Sequence, residues 1–255
     1  MTKQVVLITG GAGGIGKATA ELFLEQGATV VLVDLKQEAL AGAVESLQAA
    51  EHGQLYTIVA DVTNEHDVER YVQETVEQFG SIDVFFNNAG ISGPFTMIKD
   101  LEQAQFDLLL KINVTGVFLG MKHVIRQMEK QGYGSIINTA SNAAYIGSAG
   151  MAGYIASKHA VAGLTKTAAL EAAASGIRVN AVAPAAIDTQ MLTDIQTNIS
   201  PDQPDAAGAA IRQGIPLRRF GSPREVAQIV SFLASDQASF VTGSLYNIDG
   251  GMQAD

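Results

Sequence analysis

Tyr154 and Lys158 lie four residues apart, and Ser141 lies thirteen residues before the tyrosine. A free phenol titrates near ~10, too high for a base at neutral pH. A cation beside it favours the phenolate and lowers that value, so a Tyr154 pKa below the free value is expected. Positions i and i+4 share one helix face, which lets Lys158 stand beside Tyr154. Ser141 adds a hydroxyl that can donate to a substrate oxygen. Such a trio can move a proton to or from a carbonyl or alcohol oxygen. Taken singly, each has an ordinary structural explanation: a tyrosine on a helix packs, and a serine after a strand caps.

The start of the chain suggests what the proton transfer accompanies. Val5-Val6-Leu7-Ile8 runs into Thr9-Gly10-Gly11-Ala12-Gly13-Gly14-Ile15-Gly16 and then a helical stretch. A glycine-rich turn from strand to helix can receive a pyrophosphate on backbone N–H groups. Gly10 permits the tight turn, Gly14 the approach of N–H groups to phosphate, and Gly16 close helix–strand packing. A glycine-rich turn in a buried crossover has the same look. Asp34 favours the cofactor: it ends the second strand, about 20 residues on, where a carboxylate accepts from ribose hydroxyls. A 2′-phosphate would meet like charge there, and neither Lys17 nor Lys36 forms an evident clamp. NAD is therefore expected rather than NADP, with hydride transfer as the reaction.

Further polar residues stand at strand ends. Asp61-Val62 follows the third strand and can meet an adenine amino group or simply neighbour a helix cap. Asn87-Asn88-Ala89-Gly90 follows the fourth strand, where small residues let the chain pass close to a ribose. Asn113 interrupts an apolar helical face and needs a buried partner; a structural bond and a proton-relay role stand as equal readings.

These residues must be held by alternating strands and helices. Apolar, β-branched runs at Val5–Thr9, Thr29–Val33, Leu55–Val59, Val84–Phe86, Ser135–Asn138, Val179–Val182 and Ser244–Ile248 read as strands buried on both faces. Helical patterns occupy Gly16–Gln26, Gln37–Ala49, Glu65–Phe79, Leu101–Lys130, Met151–Ser175 and Pro223–Ser235. Repeated βα units imply an α/β fold: one doubly wound, seven-stranded parallel sheet with helices on both faces. Residues 1–255 are expected to form a single domain. Asp188–Ile215, polar and Pro/Gly/Ala-rich, reads as a surface excursion and substrate lid.

Composition narrows the class. Apolar residues make up 47% of 255, and the net charge is −10 with no basic run, which argues against a nucleic-acid partner. Cysteine is absent, so thiol nucleophiles, disulfides and cysteine-ligated metals are excluded. His52, His66, His123 and His159 form no metal or triad spacing, so no metal is expected. No stretch reads as a membrane helix or signal segment, and a cytoplasmic location is expected.

Taken in order and spacing, Thr9-Gly10-x3-Gly14-x-Gly16, Asn87-Asn88-Ala89-Gly90, Ser141, Tyr154-x3-Lys158 and Asp249-Gly250-Gly251 resemble the short-chain dehydrogenase/reductase family over nearly the whole chain. The resemblance implies a Rossmann-type fold and roles residue by residue. Tyr154 would be the acid/base, Lys158 would lower its pKa and hold the nicotinamide ribose, and Ser141 would orient the carbonyl. Asn113 would hold a relay water. Gly10, Gly13, Gly14, Ile15 and Gly16 would line the pyrophosphate, with Asp61 and Val62 at adenine. Asn88, Ala89 and Gly90 would lie along the ribose, and Pro184, Ile187 and Thr189 at the nicotinamide carboxamide. Family members are commonly homotetramers. Ala185 departs from the glycine expected after Pro184. Strings such as Phe85-Phe86-Asn87-Asn88 and Ala186-Ile187-Asp188-Thr189-x-Met191 are similar to the family's cyclic-alcohol dehydrogenases. Ile91–Phe95, Asn142–Met151 and Met191–Ile215, the segments expected to line the pocket, are mostly small or apolar, which suggests a small, neutral, hydrophobic ketone or alcohol as substrate. A fatty-acid-type acyl-thioester ketoreductase and a non-catalytic NAD-binding sensor are the alternatives.

Overall fold

Every strand of the central sheet is parallel, so every C-terminal strand end falls on one edge. The computed structural model describes residues 4–47 and 54–254. The strands are β1 (Val5–Thr9), β2 (Thr29–Asp34), β3 (Gln54–Val59), β4 (Val84–Asn87), β5 (Gly134–Thr139), β6 (Ile177–Pro184) and β7 (Leu245–Ile248). Their order is β3-β2-β1-β4-β5-β6-β7. The chain winds outward from β1 to β3, returns to β4, and winds the other way to β7. The order reverses between β1 and β4, which opens a crevice beyond their C-terminal ends.

Helices cover both faces: α1 (Gly14–Glu25), α2 (Gln37–Leu47) and α9 (Pro223–Ala234) on one, α3 (Glu65–Phe79), α5 (Val117–Gln131) and α6 (Ala152–Ala172) on the other. β1 explains the division. Val6 and Ile8 join Phe23, Leu24 and Leu40, while Leu7 joins Tyr71, Val72 and Val124 in the opposite layer. Alternate residues thus enter two different cores. Burying each such Val, Leu or Ile is worth about 1.5–3 kcal/mol. Capping fixes the helix starts. Asn64 accepts from the N–H groups of His66 and Asp67, and Ser222 and Glu225 form a reciprocal capping box at α9.

Three expectations change. The helix expected over Leu101–Lys130 is divided into α4 (Gln103–Leu110), a π-helical turn at Lys111–Gly116, and α5. Its continuous span, Gln103–Gln131, is long and apolar enough by length and composition to cross a membrane, contrary to the sequence reading. Half of its apolar window is buried within the protein, so tertiary packing takes up much of that face. The excursion at Asp188–Ile215 is not an irregular loop but two helices, α7 (Gln190–Ile199) and α8 (Pro204–Gln213). Met191, Leu192, Ile195 and Ile199 lie at helical spacing, and Pro204 stands in the first turn of α8. The end expected for α2, at residues 48–49, lies outside the described residues.

Candidate active site

The crevice between β1 and β4 begins at Gly10. Its φ of +62° and the hypothetical Cβ 2.9 Å from Ala89 Cα exclude any other residue without rearrangement. The turn is closed by Gly13 N–H to Gly10 O at 3.1 Å and leads into α1, whose N-terminus faces the crevice edge. Asp34 lies beside this turn: its Oδ2 accepts from Ala12 N at 3.1 Å and its Oδ1 from Leu35 N at 2.8 Å. Each oxygen keeps acceptor capacity for a hydroxyl. Ile15 packs into the core under the turn, and the Thr189 methyl lies over Gly14.

Asn88 is the knot between strands. Its Nδ2 donates to Thr9 O and Gly10 O, both at 3.2 Å, and its Oδ1 accepts from Thr139 Oγ1 at 3.1 Å. Its backbone N–H and that of Ala89 both donate to Thr9 Oγ1. The amide is thus committed to the protein. Beyond it, a Cβ on Gly90 would stand 3.1 Å from Asn113 Oδ1 and 3.8 Å from Lys158 Nζ, so the chain passes tightly between them.

Asn113 sits in the π-helical turn, fully buried. Its Oδ1 accepts from Ile91 N and its Nδ2 donates to Ile91 O, both at 2.9 Å, and to Ser157 Oγ at 3.1 Å. Ser157 Oγ in turn donates to Tyr154 O at 2.7 Å. The side chain therefore fastens the loop after β4 to the first turn of α6. Asp61 and Val62 stand apart from this cluster: Asp61 Oδ1 accepts from Thr63 N, and Val62 packs on Gly116 at the other end of the π turn.

Tyr154 and Lys158 lie on one face of α6, with Lys158 Nζ 5.5 Å from the Tyr154 ring centroid. Lys158 is only 5% exposed, and Nζ donates to Thr139 O at 2.7 Å. Among the described residues that is its one hydrogen-bond partner, which leaves two N–H groups for a ligand. Ser141 is buried after β5; its hydroxyl reaches Asn142 Oδ1 at 3.1 Å and Pro184 O at 3.2 Å, and it accepts from Ala143 N. Ile187 is buried, with the backbone around it tied to Gly221.

A family model described as enoyl-(acyl carrier protein) reductase matches residues 10–253. Levodione reductase of Leifsonia aquatica is 44% identical over 99% of this chain and 95% of its own length. A solved levodione reductase structure covers 100% of this chain and 99% of its own at a TM-score of 0.97 and 42% identity. The chain belongs to the short-chain dehydrogenase/reductase family. The 3-oxoacyl-[acyl-carrier-protein] reductase FabG of Thermotoga maritima is 41% identical over 98% of this chain and 97% of its own. An NAD+-bound xylitol dehydrogenase structure has a TM-score of 0.92 and 39% identity, covering 97% of this chain and 98% of its own.

Within this short-chain dehydrogenase/reductase, Ala185 donates its N–H to Ile248 O at 3.1 Å, so the turn after β6 is pinned to β7. Sequence reasoning passed over Thr139 and Ser157. Each is a hydroxyl residue at a strand end or one helical turn from Tyr154, and that placement was the available signal.

The pKa expectation for Tyr154 reverses in this chain. Burial raises the phenol above its ordinary value, and the nearby Ser141 hydroxyl only partly opposes this. The ammonium lies near the ring, held by the Thr139 carbonyl, and loses solvation itself. Burial pulls Lys158 down to about 8 from its ordinary 10.5. For both groups the loss of solvation is the largest cause.

A stability prediction follows for Lys158. Its folded pKa is depressed, so the stability linked to its titration is present above ~10.5 and is lost as pH falls through 8. Below pH 8 the buried ammonium is a cost, offset in part by its bond to Thr139. Lys158→Met should therefore unfold with a free energy roughly 1–3 kcal/mol higher at pH 7, and the gain should shrink toward pH 10. Denaturant unfolding of the cofactor-free protein at both pH values measures this; an equal or lower stability at pH 7 would refute the assignment.

Proposed function

We propose that this chain interconverts a secondary alcohol and its ketone by hydride transfer with NAD. The observation that carries the reading is the placement of Tyr154, buried Lys158 and Ser141 on the same sheet edge as the Gly10 turn and Asp34. The residues fit the cofactor: an open glycine turn at a helix N-terminus suits a pyrophosphate, Asp34 suits ribose hydroxyls, and Lys158 retains two donors. When bound, the nicotinamide supplies or accepts the hydride.

The remaining work belongs to side chains. In reduction Tyr154 Oη donates its proton to the carbonyl oxygen, and Ser141 Oγ donates a hydrogen bond to the same oxygen. The Lys158 ammonium stabilises the phenolate left behind. In oxidation Tyr154 accepts the alcohol proton. Asn113 supports a proton relay, holding Ile91 and Ser157 in place around it. Gly13, Gly14, Gly16 and Ile15 shape the pyrophosphate turn, while Asp61 and Val62 take the adenine. Ala89 and Gly90 border the ribose, with Pro184, Ile187 and Thr189 at the carboxamide.

The substrate is a small, neutral, hydrophobic ketone or alcohol. The segments Ile91–Phe95 and Asn142–Met151, which follow β4 and β5 at the site, contain no charged residue. Phe95, Tyr145, Ile146 and Met191 keep substantial exposure on the loops and helix beyond these strand ends. A fatty-acid-type acyl-thioester ketoreductase is the alternative; Asp34 and the net charge of −10 weigh against its usual NADPH and acidic carrier protein. The protein is read as one domain over residues 1–255, cytoplasmic and homotetrameric.

Residues 188–215 serve as the substrate lid. Within α7 and α8 only Leu192, Ala207 and Gly208 are buried, so little apolar contact holds the pair down. The connection back to α9 contains Arg218 at φ +58°, a strained non-glycine position. Hydrogen exchange across 188–215 should slow when NAD+ and alcohol are added together; identical exchange in both states would count against a lid.

The central test is Tyr154→Phe. Loss of the proton donor should lower kcat by about 10²–10⁴, while calorimetric NAD+ affinity stays within a few-fold. Turnover close to the parent's would remove Tyr154 from the chemistry. Cofactor choice tests Asp34. The parent should prefer NADH over NADPH in kcat/KM, and Asp34→Ala should narrow the ratio by roughly tenfold as like-charge repulsion disappears. A parent that prefers NADPH would overturn the reading of this carboxylate.

A further inference from the structure

A chain of hydrogen bonds joins Lys158 to the glycine turn through Thr139 and Asn88. Thr139 ends β5. Its carbonyl accepts from Lys158 Nζ at 2.7 Å, while its hydroxyl donates to Asn88 Oδ1 at 3.1 Å. Asn88 Nδ2 then donates to Thr9 O and Gly10 O, both at 3.2 Å. Lys158 is on α6, Thr139 on β5, Asn88 just past β4 and Gly10 just past β1. No neighbour in sequence links them: the separations along the chain are 19, 51 and 78 residues.

We infer that Thr139 is a positioning residue that sets the cofactor turn against Lys158. The inference rests on the NAD reading above. The hydroxyl holds the oxygen end of the Asn88 amide. With Thr139 Oγ1 donating to Oδ1, the carboxamide oxygen points to β5 and the nitrogen to β1. Both Nδ2 bonds then fall on consecutive carbonyls at the turn itself. The Thr9 and Gly10 carbonyls select the nitrogen end, since a flipped oxygen would repel them; without the Thr139 hydroxyl Oδ1 loses the one donor it has among the described residues, and the carboxamide is held from one side only. Gly10 packs closely on the segment after β4, where a Cβ on it would stand 2.9 Å from Ala89 Cα. Removing the hydroxyl therefore loosens the Gly10 end. The carbonyl of Thr139 is backbone, so the Lys158 end is kept by any side chain. The effect is on cofactor affinity more than on the chemical step.

The variants are Thr139→Val, which keeps shape and loses the hydroxyl, and Thr139→Ser, which keeps the hydroxyl. NAD+ binding is measured by calorimetry on each protein, alongside thermal unfolding without cofactor and kcat at saturating NAD+. Thr139→Val should weaken NAD+ binding about fivefold or more, the scale of one partly buried hydrogen bond, with kcat changed less than the affinity. Thr139→Ser should restore the parent affinity. In an Asn88→Ala background the Thr139→Val change should add little, because the two side chains act as one unit. Unchanged affinity in Thr139→Val, even with a lowered unfolding temperature, would make the hydroxyl merely structural and overturn the inference. So would a Thr139→Ser protein as weak as Thr139→Val. If Thr139→Val does not fold, Thr139→Ala against Thr139→Ser decides on the same criteria. A parent that binds no NAD+ would instead refute the proposed cofactor, so the two failures are distinct.

Discussion

Thr9, Asn87 and Asn138 stand in one row across β1, β4 and β5, paired in parallel register. Asn87 Nδ2 donates to Asn138 Oδ1 at 3.1 Å, and Asn138 Nδ2 donates to Thr165 Oγ1 at 3.0 Å on α6. The row is buried and polar, so each member must find its partner or be left unsatisfied in the core. A slip of one residue in any of these strands would break the pairings and move every apolar side chain to the wrong layer. The next residues on each strand path are Gly10, Asn88 and Thr139, and their relative heights are set by this register.

From that row the site is built outward with few flexible parts. Asn113 fixes the segment after β4 to α6 through Ile91 and Ser157, and a π turn accommodates it. The same π turn touches Val62 at Gly116, so one irregular turn of helix lies between Val62 and the Asn113–Ser157 contact beside Tyr154. The arrangement leaves Tyr154 and Ser141 hydroxyls at one edge, with the Lys158 ammonium beneath the ring. Burying that ammonium works against the fold and serves the site: a desolvated cation interacts strongly with any phenolate that forms beside it.

Rigidity is uneven. The sheet and its two cores are filled with fully buried Val, Leu, Ile and Phe, whereas α7 and α8 bury only a few side chains. The pair leaves the sheet after Thr189, beside Gly14, and comes back near Gly221, which is bonded to Ala186 and Asp188. Both ends are anchored while the helices between are lightly held. That is the mechanical character expected of a cover over a site.

What the sequence determined by itself was whatever is local. The order of strands and helices, the Gly10 turn, the i,i+4 pairing of Tyr154 and Lys158 and the helix starts at Glu65 and Pro223 follow from short-range periodicity and turn chemistry. The tertiary structure decided what depends on distant partners. Strands buried on both faces have no alternating pattern, so the register of Thr9, Asn87 and Asn138 could not be read from them. The commitment of Asn88 to Thr139 and Thr9 spans 51 and 79 residues. The bonds of Asn113 to Ile91 and Ser157, 22 and 44 residues away, could not be read from its place on an apolar helical face. The helices of residues 190–213 were obscured by their Pro, Gly and polar content, although their apolar spacing was present. The raised Tyr154 pKa could not be foreseen from a neighbouring lysine, because spacing predicts attraction and only packing fixes the desolvation that opposes it.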